Sequence, residues 1–128
     1  LVVIMLGTND LKERFSVNAG DIAHSLERLA RVVKVSDCGP EGRGPDVLLV
    51  APPPIIEVGC LRGMFAGGAV KSVALAAEVQ AAAKRAGVGF LDAGKVVAVS
   101  PIDGIHYDAA ANPALAGAIA AAIRAQFP

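Results

Sequence analysis

The sequence predicts a single α/β domain built on a parallel sheet. Apolar runs typical of buried strands alternate with segments of helical period, so that strand and helix follow one another three times. At 128 residues the chain is long enough for one domain. Hydrophobic residues make up 54% of it but aromatic residues only 4%, so we expect a core of small aliphatic side chains.

The first strand is predicted over residues 1–6, a continuous apolar run that ends at Gly7. Such a run is typical of a strand buried on both faces, as in parallel sheets covered by helices. A loop then leads to the first helix, for which Asn18 is the expected N-cap and Asp21 the acidic residue of the first turn. The helical spacing predicts a buried face of Ile22, Leu26, Leu29 and Val33.

The second strand is predicted over residues 47–51, between a Gly/Pro-rich loop at 36–46 and a run of three prolines. Residues 55–68 show no regular period and include four glycines. A long irregular segment of this kind is more often part of a functional site or an interface than incidental. Because it also carries many apolar residues, we expect it to cover a pocket, a partner subunit, or both.

The second helix is predicted over residues 69–86, followed by Gly87 just past its C-terminus. A short third strand follows at 88–91. The last helix is predicted over 113–126, with Asn112 as N-cap before a proline in the first helical position. The second helix is expected to bury Val73, Ala76, Ala77 and either Val79 or Gln80. The last helix is expected to present a stripe of Leu115, Ile119 and Ile123.

Charge and cysteine content exclude several classes of function. Twelve basic residues balance twelve acidic ones, which argues against a nucleic-acid or anionic-membrane surface. No apolar run approaches the roughly 18 residues that a membrane-spanning helix needs. Cys38 and Cys60 are expected to be free thiols, and no Cys/His spacing suits a metal, so we expect neither metal nor cofactor.

The first four residues carry no feature of a signal peptide. They are typical of the middle of a buried strand instead. We therefore expect the chain to be a piece of a longer protein. The compartment stays open, with the cytoplasm slightly favoured.

Three loops follow the three predicted strands, and the carboxyl ends of parallel strands meet at one edge of a sheet. The loops are residues 7–10, the three prolines, and residues 92–106. This shared edge is the reason to expect Asn9 and His106 to be neighbours although they lie near opposite ends of the chain.

Asp103 and His106 form the clearest candidate for chemistry. A carboxylate three residues before a histidine on a tight turn can fix the ring tautomer, which leaves the other nitrogen free to accept a proton from a nucleophile. Asp103 is also explained as a turn residue before Gly104, and both interpretations can hold together. His24 lies on the first helix, where we expect it to face the solvent.

Asn9 is the candidate donor to a developing oxyanion, because a side-chain amide donates a hydrogen bond without losing a proton. The alternative for Asn9 and Asp10 is a local cap after the strand, and Thr8 fits either role. No convincing nucleophile accompanies them. None of the five serines lies in a Gly-x-Ser-x-Gly or Gly-Asp-Ser motif, and Ser100, which precedes a proline, is not the expected nucleophile.

Two blocks resemble those of a known family. Residues 3–10, Val-Ile-Met-Leu-Gly-Thr-Asn-Asp, look like the third block of the SGNH (GDSL-like) hydrolases, and Asp-Gly-Ile-His at 103–106 looks like their fifth block. The proline run and the Phe-Ala-Gly-Gly run before a helix look closest to the arylesterase/acyltransferase branch. The resemblance covers essentially the whole chain.

The resemblance implies a serine esterase with a flavodoxin-like three-layer α/β/α fold and no cofactor. In it Asp103 orients His106, His106 acts as general base and then general acid, and Asn9 donates to the oxyanion. The family's nucleophilic serine lies in a Gly-Asp-Ser block, and a glycine of the second block is another oxyanion donor; neither block is present. Only three of the family's five strands are predicted. The chain is then either the C-terminal portion of a longer enzyme or unable to run the reaction by itself.

Three functions follow as expectations. The first is an esterase or acyltransferase that acts on small carboxylic esters together with an N-terminal portion of the same protein, as a homo-oligomer. The second is a non-catalytic pseudo-hydrolase or binding module with the same fold. A nucleotide-binding domain rests on fold analogy alone and lacks a phosphate loop. Because an unpaired sheet edge promotes aggregation, we expect residues 1–128 alone to be insoluble or molten.

Overall fold

The structure, a computed structural model, describes residues 1–127. The chain folds into one parallel sheet with helices on both faces. Its three strands are adjacent in chain order, with Val3 opposite Leu48 and Leu49 opposite Phe90. The strands are β1 (Val2–Ile4), β2 (Val47–Ala51) and β3 (Gly89–Asp92). The helices are α1 (Ala19–Lys34), α2 (Gly68–Ala86) and α3 (Ala111–Gln126). The predicted α/β class with a parallel sheet is confirmed, and β3 lies one residue later than predicted.

The central strand β2 divides the core into two layers because successive side chains of a strand point to opposite faces. Val47, Leu49 and Ala51 pack with α1 and α2 on one face. Leu48 and Val50 pack with the apolar stripe of α3 on the other. The predicted stripe of Leu115, Ile119 and Ile123 supplies that contact. The chain therefore has the three-layer α/β/α arrangement.

Helix α1 begins as predicted, and its predicted face is buried at Ile22 and Leu26 and partly at Val33. Asn18 Oδ1 accepts from the Asp21 N–H at 2.9 Å and Asp21 Oδ2 accepts from the Asn18 N–H at 3.0 Å, which forms a capping box. The prediction for Leu29 is wrong, since this side chain is 42% exposed, whereas Ala23 and Ala30 are fully buried. These small side chains permit close approach to α2 and the sheet, and a pattern of large apolar residues overlooks them.

Two helix predictions on α2 and one on α3 need correction. Gly87 has a left-handed φ of 62° past the end of α2, as predicted, but Val73 and Ala77 are exposed. Of the predicted residues, Val79 is buried and Ala76 is partly buried against the core. The other buried side chains of α2 are Ser72, Leu75, Ala82, Ala83 and Ala86. Asn112 is not an N-cap, because α3 begins before it. The N–H groups of residues 111 and 112 already donate to the carbonyls of residues 108 and 109.

The two edges of the sheet differ. On β1, Val3 is 39% exposed and no further strand of residues 1–127 pairs with the outer edge, which is the unpaired edge expected for residues 1–128 alone. On β3, the Gln126 carboxamide accepts from the Phe90 N–H at 2.9 Å and donates to the Phe90 carbonyl at 3.0 Å. Gln126 thereby makes the pair of hydrogen bonds that a further strand would make. The insolubility of the isolated chain stays a prediction.

None of the helices in residues 1–127 is both long and apolar enough to cross a membrane.

Candidate active site

The loop that carries Asp103 and His106 is held by its own backbone. The Ser100 N–H donates to the His106 carbonyl at 2.7 Å, and the Gly104 N–H donates to the Ser100 carbonyl at 2.8 Å. Gly104 has a φ of 75°, and a Cβ there would collide with the carbonyl oxygen of Ile56. Only glycine fits this position, so the Asp-Gly turn that the sequence indicated is also a close backbone contact.

The Asp103 carboxylate holds the His106 ring. Its Oδ2 lies 2.6 Å from His106 Nδ1, and its Oδ1 accepts from the backbone N–H groups of Ile105 and His106 at 2.9 and 3.0 Å. The hydrogen bond from the His106 ring, with the two backbone bonds, lowers the pKa of the Asp103 carboxyl to about 2. The ionised carboxylate favours the tautomer with its proton on Nδ1, which leaves the lone pair of Nε2 available. The His106 side chain is 73% exposed.

Asn9 lies in a short turn directly after β1. Gly7, with a φ of 116°, turns the chain out of the strand, and a 3-10 helix covers Thr8–Leu11. Leu11 is fully buried and anchors this turn in the core. No side chain caps the turn, so the capping interpretation of Asn9 and Asp10 is wrong. The Asn9 side chain is exposed at the carboxyl end of β1.

Asn9 and His106 share one cavity of about 210 Å³ at the carboxyl ends of the strands. The topology explains the meeting, since β1 and β3 run parallel on either side of β2. The cavity is lined by Asn9, Lys12, Leu61, Met64, Phe65, Ile105 and His106. Segment 55–68, expected to cover a pocket, supplies three of these side chains. Whether it also covers a partner subunit stays a prediction.

Backbone hydrogen bonds fasten this segment to both site loops. The Ile56 N–H donates to the Gly104 carbonyl at 3.1 Å, next to His106, and the Glu13 N–H donates to the Met64 carbonyl at 3.0 Å, next to the Asn9 turn. Phe65 is buried beneath them, with 2% of its surface exposed. Lys12 was not predicted to line the cavity, because a loop lysine carries no distinctive signal. Phe65 lies in the irregular apolar segment that was expected to cover a pocket.

The serines do not complete a triad in the described part of the chain. None of them lines the cavity with His106. Ser72 Oγ is buried and donates to the Ala69 carbonyl at 2.7 Å, and Ser100 is buried with its Oγ accepting from the Ile102 N–H at 3.3 Å. Both hydroxyls are used in holding backbone.

Other reactive groups lie outside this cavity. Cys38 and Cys60 are exposed free thiols, and residues 1–127 contain no cluster of three metal-ligating side chains. A larger cavity of about 480 Å³ lies near the beginning of β3, between α2 and the end of α3. Its lining includes Lys84, Phe90 and Gln126 but no carboxylate, hydroxyl or thiol. The cavity that His106 lines, beside Asp103, is therefore a better candidate for the active site than the larger cavity.

Comparison with known proteins found no matching family model and no matching curated protein. Solved structures do match. The chain is similar to Est24, a carbohydrate acetylesterase from Sinorhizobium meliloti, with 37% identity over 97% of this chain and 60% of that one, at a TM-score of 0.90. It is similar to the aryl esterase of M. smegmatis, with 36% identity over 98% of this chain and 61% of that one, at a TM-score of 0.89.

A third likeness concerns the fold alone. A GDSL-like lipase from Bacteroides thetaiotaomicron is 24% identical over 98% of this chain and 62% of that one, at a TM-score of 0.76. The chain thus spans about 60% of the length of the solved structures that it matches. The chain therefore has the fold of these esterases and of the GDSL-like lipase, and the two motifs at its strand ends are those in which it resembles the SGNH (GDSL-like) hydrolases.

Proposed function

We propose that this protein is a carboxylic ester hydrolase that works through a Ser-His-Asp triad whose serine lies outside the 128 residues. The observation that carries the proposal is the 2.6 Å hydrogen bond between Asp103 and His106 on the wall of the cavity that Asn9 also lines. The esterase names of the similar structures support it, and so does the 60% span, which leaves room for a nucleophile elsewhere.

In the proposed reaction the serine hydroxyl attacks the acyl carbon while His106 Nε2 removes its proton. Asp103 stabilises the resulting imidazolium. The Asn9 amide donates to the oxyanion of the tetrahedral intermediate. Collapse breaks the bond to the alcohol, and His106 returns the proton to the leaving oxygen. Water then hydrolyses the acyl-enzyme by the same sequence, or a second alcohol takes the acyl group.

A cavity of about 210 Å³ suits a small acyl group. Exclusion of water by the segment that carries Leu61, Met64 and Phe65 would favour transfer to an alcohol when one is present. The choice between hydrolysis and transfer is measured by adding an alcohol acceptor to the assay and quantifying the new ester. A homo-oligomer stays a prediction from the sequence.

The test replaces each of the two histidines in the complete protein, including whatever precedes Leu1. His106→Ala is expected to lower kcat for 4-nitrophenyl acetate by at least about 10³-fold, because the general base and acid are lost together. His24→Ala, on the exposed face of α1, is the matched control and should retain activity. Unchanged turnover in His106→Ala contradicts the proposal. A complete wild-type protein that turns over no ester favours the pseudo-hydrolase instead.

A further inference from the structure

Among residues 1–127, Lys12 is the one permanently charged residue that lines the cavity. It lines the cavity with Asn9 and His106, and the other lining groups are apolar side chains, an amide and an imidazole. The Lys12 N–H donates to the Asn9 carbonyl at 3.4 Å, so both residues belong to the same turn. The position of the lysine relative to the proposed oxyanion donor is therefore fixed by local backbone.

The Lys12 ammonium lies over the aromatic wall of the cavity. The residue is half-buried, and its Nζ lies 5.7 Å from the centroid of the Phe65 ring. Phe65 is itself 2% exposed and cannot move freely. This contact restrains the ammonium at the cavity rather than in open solvent.

No carboxylate of residues 1–127 forms an ion pair with Lys12. Asp103, the acidic residue beside His106, already accepts from the His106 ring and from two backbone N–H groups. Among residues 1–127, the cavity thus presents a cation that no carboxylate pairs with. A ligand that carries a negative charge would gain an attraction there that a neutral ligand lacks.

We propose that Lys12 is a substrate-binding residue that makes this a site for anionic esters, in which a carboxylate on the alcohol or acyl part meets the ammonium. This inference rests on the proposed ester hydrolysis. It concerns binding, and it adds no step to the reaction. The alternative is that Lys12 only packs on Phe65 and supports the cavity wall. In that case its replacement changes kcat/KM for anionic and neutral esters equally.

The experiment compares each anionic ester with its neutral methyl ester. For a charge on the alcohol, the pair is 4-acetoxybenzoate and methyl 4-acetoxybenzoate; for a charge on the acyl part, it is monomethyl and dimethyl adipate. In the complete protein, Lys12→Met should lower kcat/KM for the anionic member of at least one pair by about fivefold, mainly through KM. The neutral member should change by less than about twofold. The pair that responds identifies which part carries the charge.

Two controls separate charge from packing. Lys12→Arg keeps the charge and should retain the preference, and added salt at about 0.5 M should weaken the preference of the wild type but not that of Lys12→Met. Equal losses for both members of both pairs overturn the inference, because they indicate a supporting role on Phe65.

Direct binding keeps the inference testable if the proposed function fails. A complete wild-type protein that hydrolyses none of the four esters contradicts ester hydrolysis. Titration calorimetry with the same two ester pairs, which such a protein does not turn over, then decides the role of Lys12 separately. Tighter binding of the anionic member of at least one pair that is lost in Lys12→Met supports the inference, and equal binding of both members in both pairs overturns it.

Discussion

The same four-residue spacing, Asp-x-x-His, occurs twice in this chain, in two different surroundings. Asp21 and His24 lie in the first turns of α1, and Asp103 and His106 lie in the loop before α3. In the helix, Asp21 Oδ2 accepts from the Asn18 N–H as part of the capping box, and His24 is exposed. In the loop, the carboxylate holds the ring at 2.6 Å. Spacing alone therefore does not make a catalytic pair.

The backbone makes the difference. In a helix, the first-turn acid is drawn to the free N–H groups of the N-terminus. In the loop, Gly104 with its left-handed φ turns the chain, so that Asp103 Oδ1 takes the N–H groups of residues 105 and 106 and Oδ2 remains for the ring. Oδ2 of Asp21 binds the Asn18 N–H, whereas Oδ2 of Asp103 binds the His106 ring. Asp21 and His24 therefore serve as matched controls for Asp103 and His106.

After replacement of the two histidines, replacement of the two aspartates is expected to give the largest difference in kcat. Asp103→Asn in the complete protein should lower kcat by about 10³- to 10⁴-fold, because an amide no longer favours the tautomer that leaves Nε2 unprotonated. Asp21→Asn should leave kcat unchanged and weaken only the capping box. The measurement is steady-state hydrolysis of 4-nitrophenyl acetate. Similar activity of the two variants would mean that Asp103 is only a turn residue.

A smaller effect is expected at the opposite wall of the cavity. Asn9→Ala should cost roughly 2.7–4 kcal/mol of transition-state stabilisation, as does the loss of other single oxyanion donors. Asn112→Ala is the control, because Asn112 lies in the first turn of α3 without capping it. Both are assayed for kcat and for thermal unfolding. A loss of activity under about threefold for Asn9→Ala contradicts its role as oxyanion donor.

The smallest effect concerns stability and pH. The hydrogen bonds lower the pKa of Asp103 from 3.8 to about 2, so the ionised carboxylate stabilises the folded state above its ordinary pKa. This stabilisation is lost as the pH falls from about 4 through about 2. The difference in Tm between the complete wild type and Asp103→Asn should therefore shrink over that range. A difference that does not change with pH would contradict the assigned hydrogen bonds.

Much of the fold followed from local signals in the sequence. The bounds of β2, the N-cap at Asn18 and the end of α2 at Gly87 each depend on a few adjacent residues. The meeting of Asn9 and His106 in one cavity followed from the rule that parallel strands end at one edge. Their chemical roles stay predictions.

The features that escaped prediction depend on contacts between distant segments. The burial of Ala23 and Ala30 in α1 is set by packing against α2 and the sheet. Lys12 joins the site only because segment 55–68 folds over to bring Phe65 beneath it. The periodicity of apolar residues does not predict such contacts between distant segments.

The most direct test of the central claim is chemical labelling of the nucleophile. Diethyl 4-nitrophenyl phosphate would phosphorylate an activated serine with release of 4-nitrophenolate, and peptide mass spectrometry locates the diethylphosphoryl group. In the complete protein we predict one labelled serine outside residues 1–128, with labelling abolished in His106→Ala and retained in His24→Ala. A label on Ser100 or any other residue of this chain, or an unchanged labelling rate in His106→Ala, would contradict a site in which Asp103, His106 and Asn9 act on a serine from elsewhere in the protein.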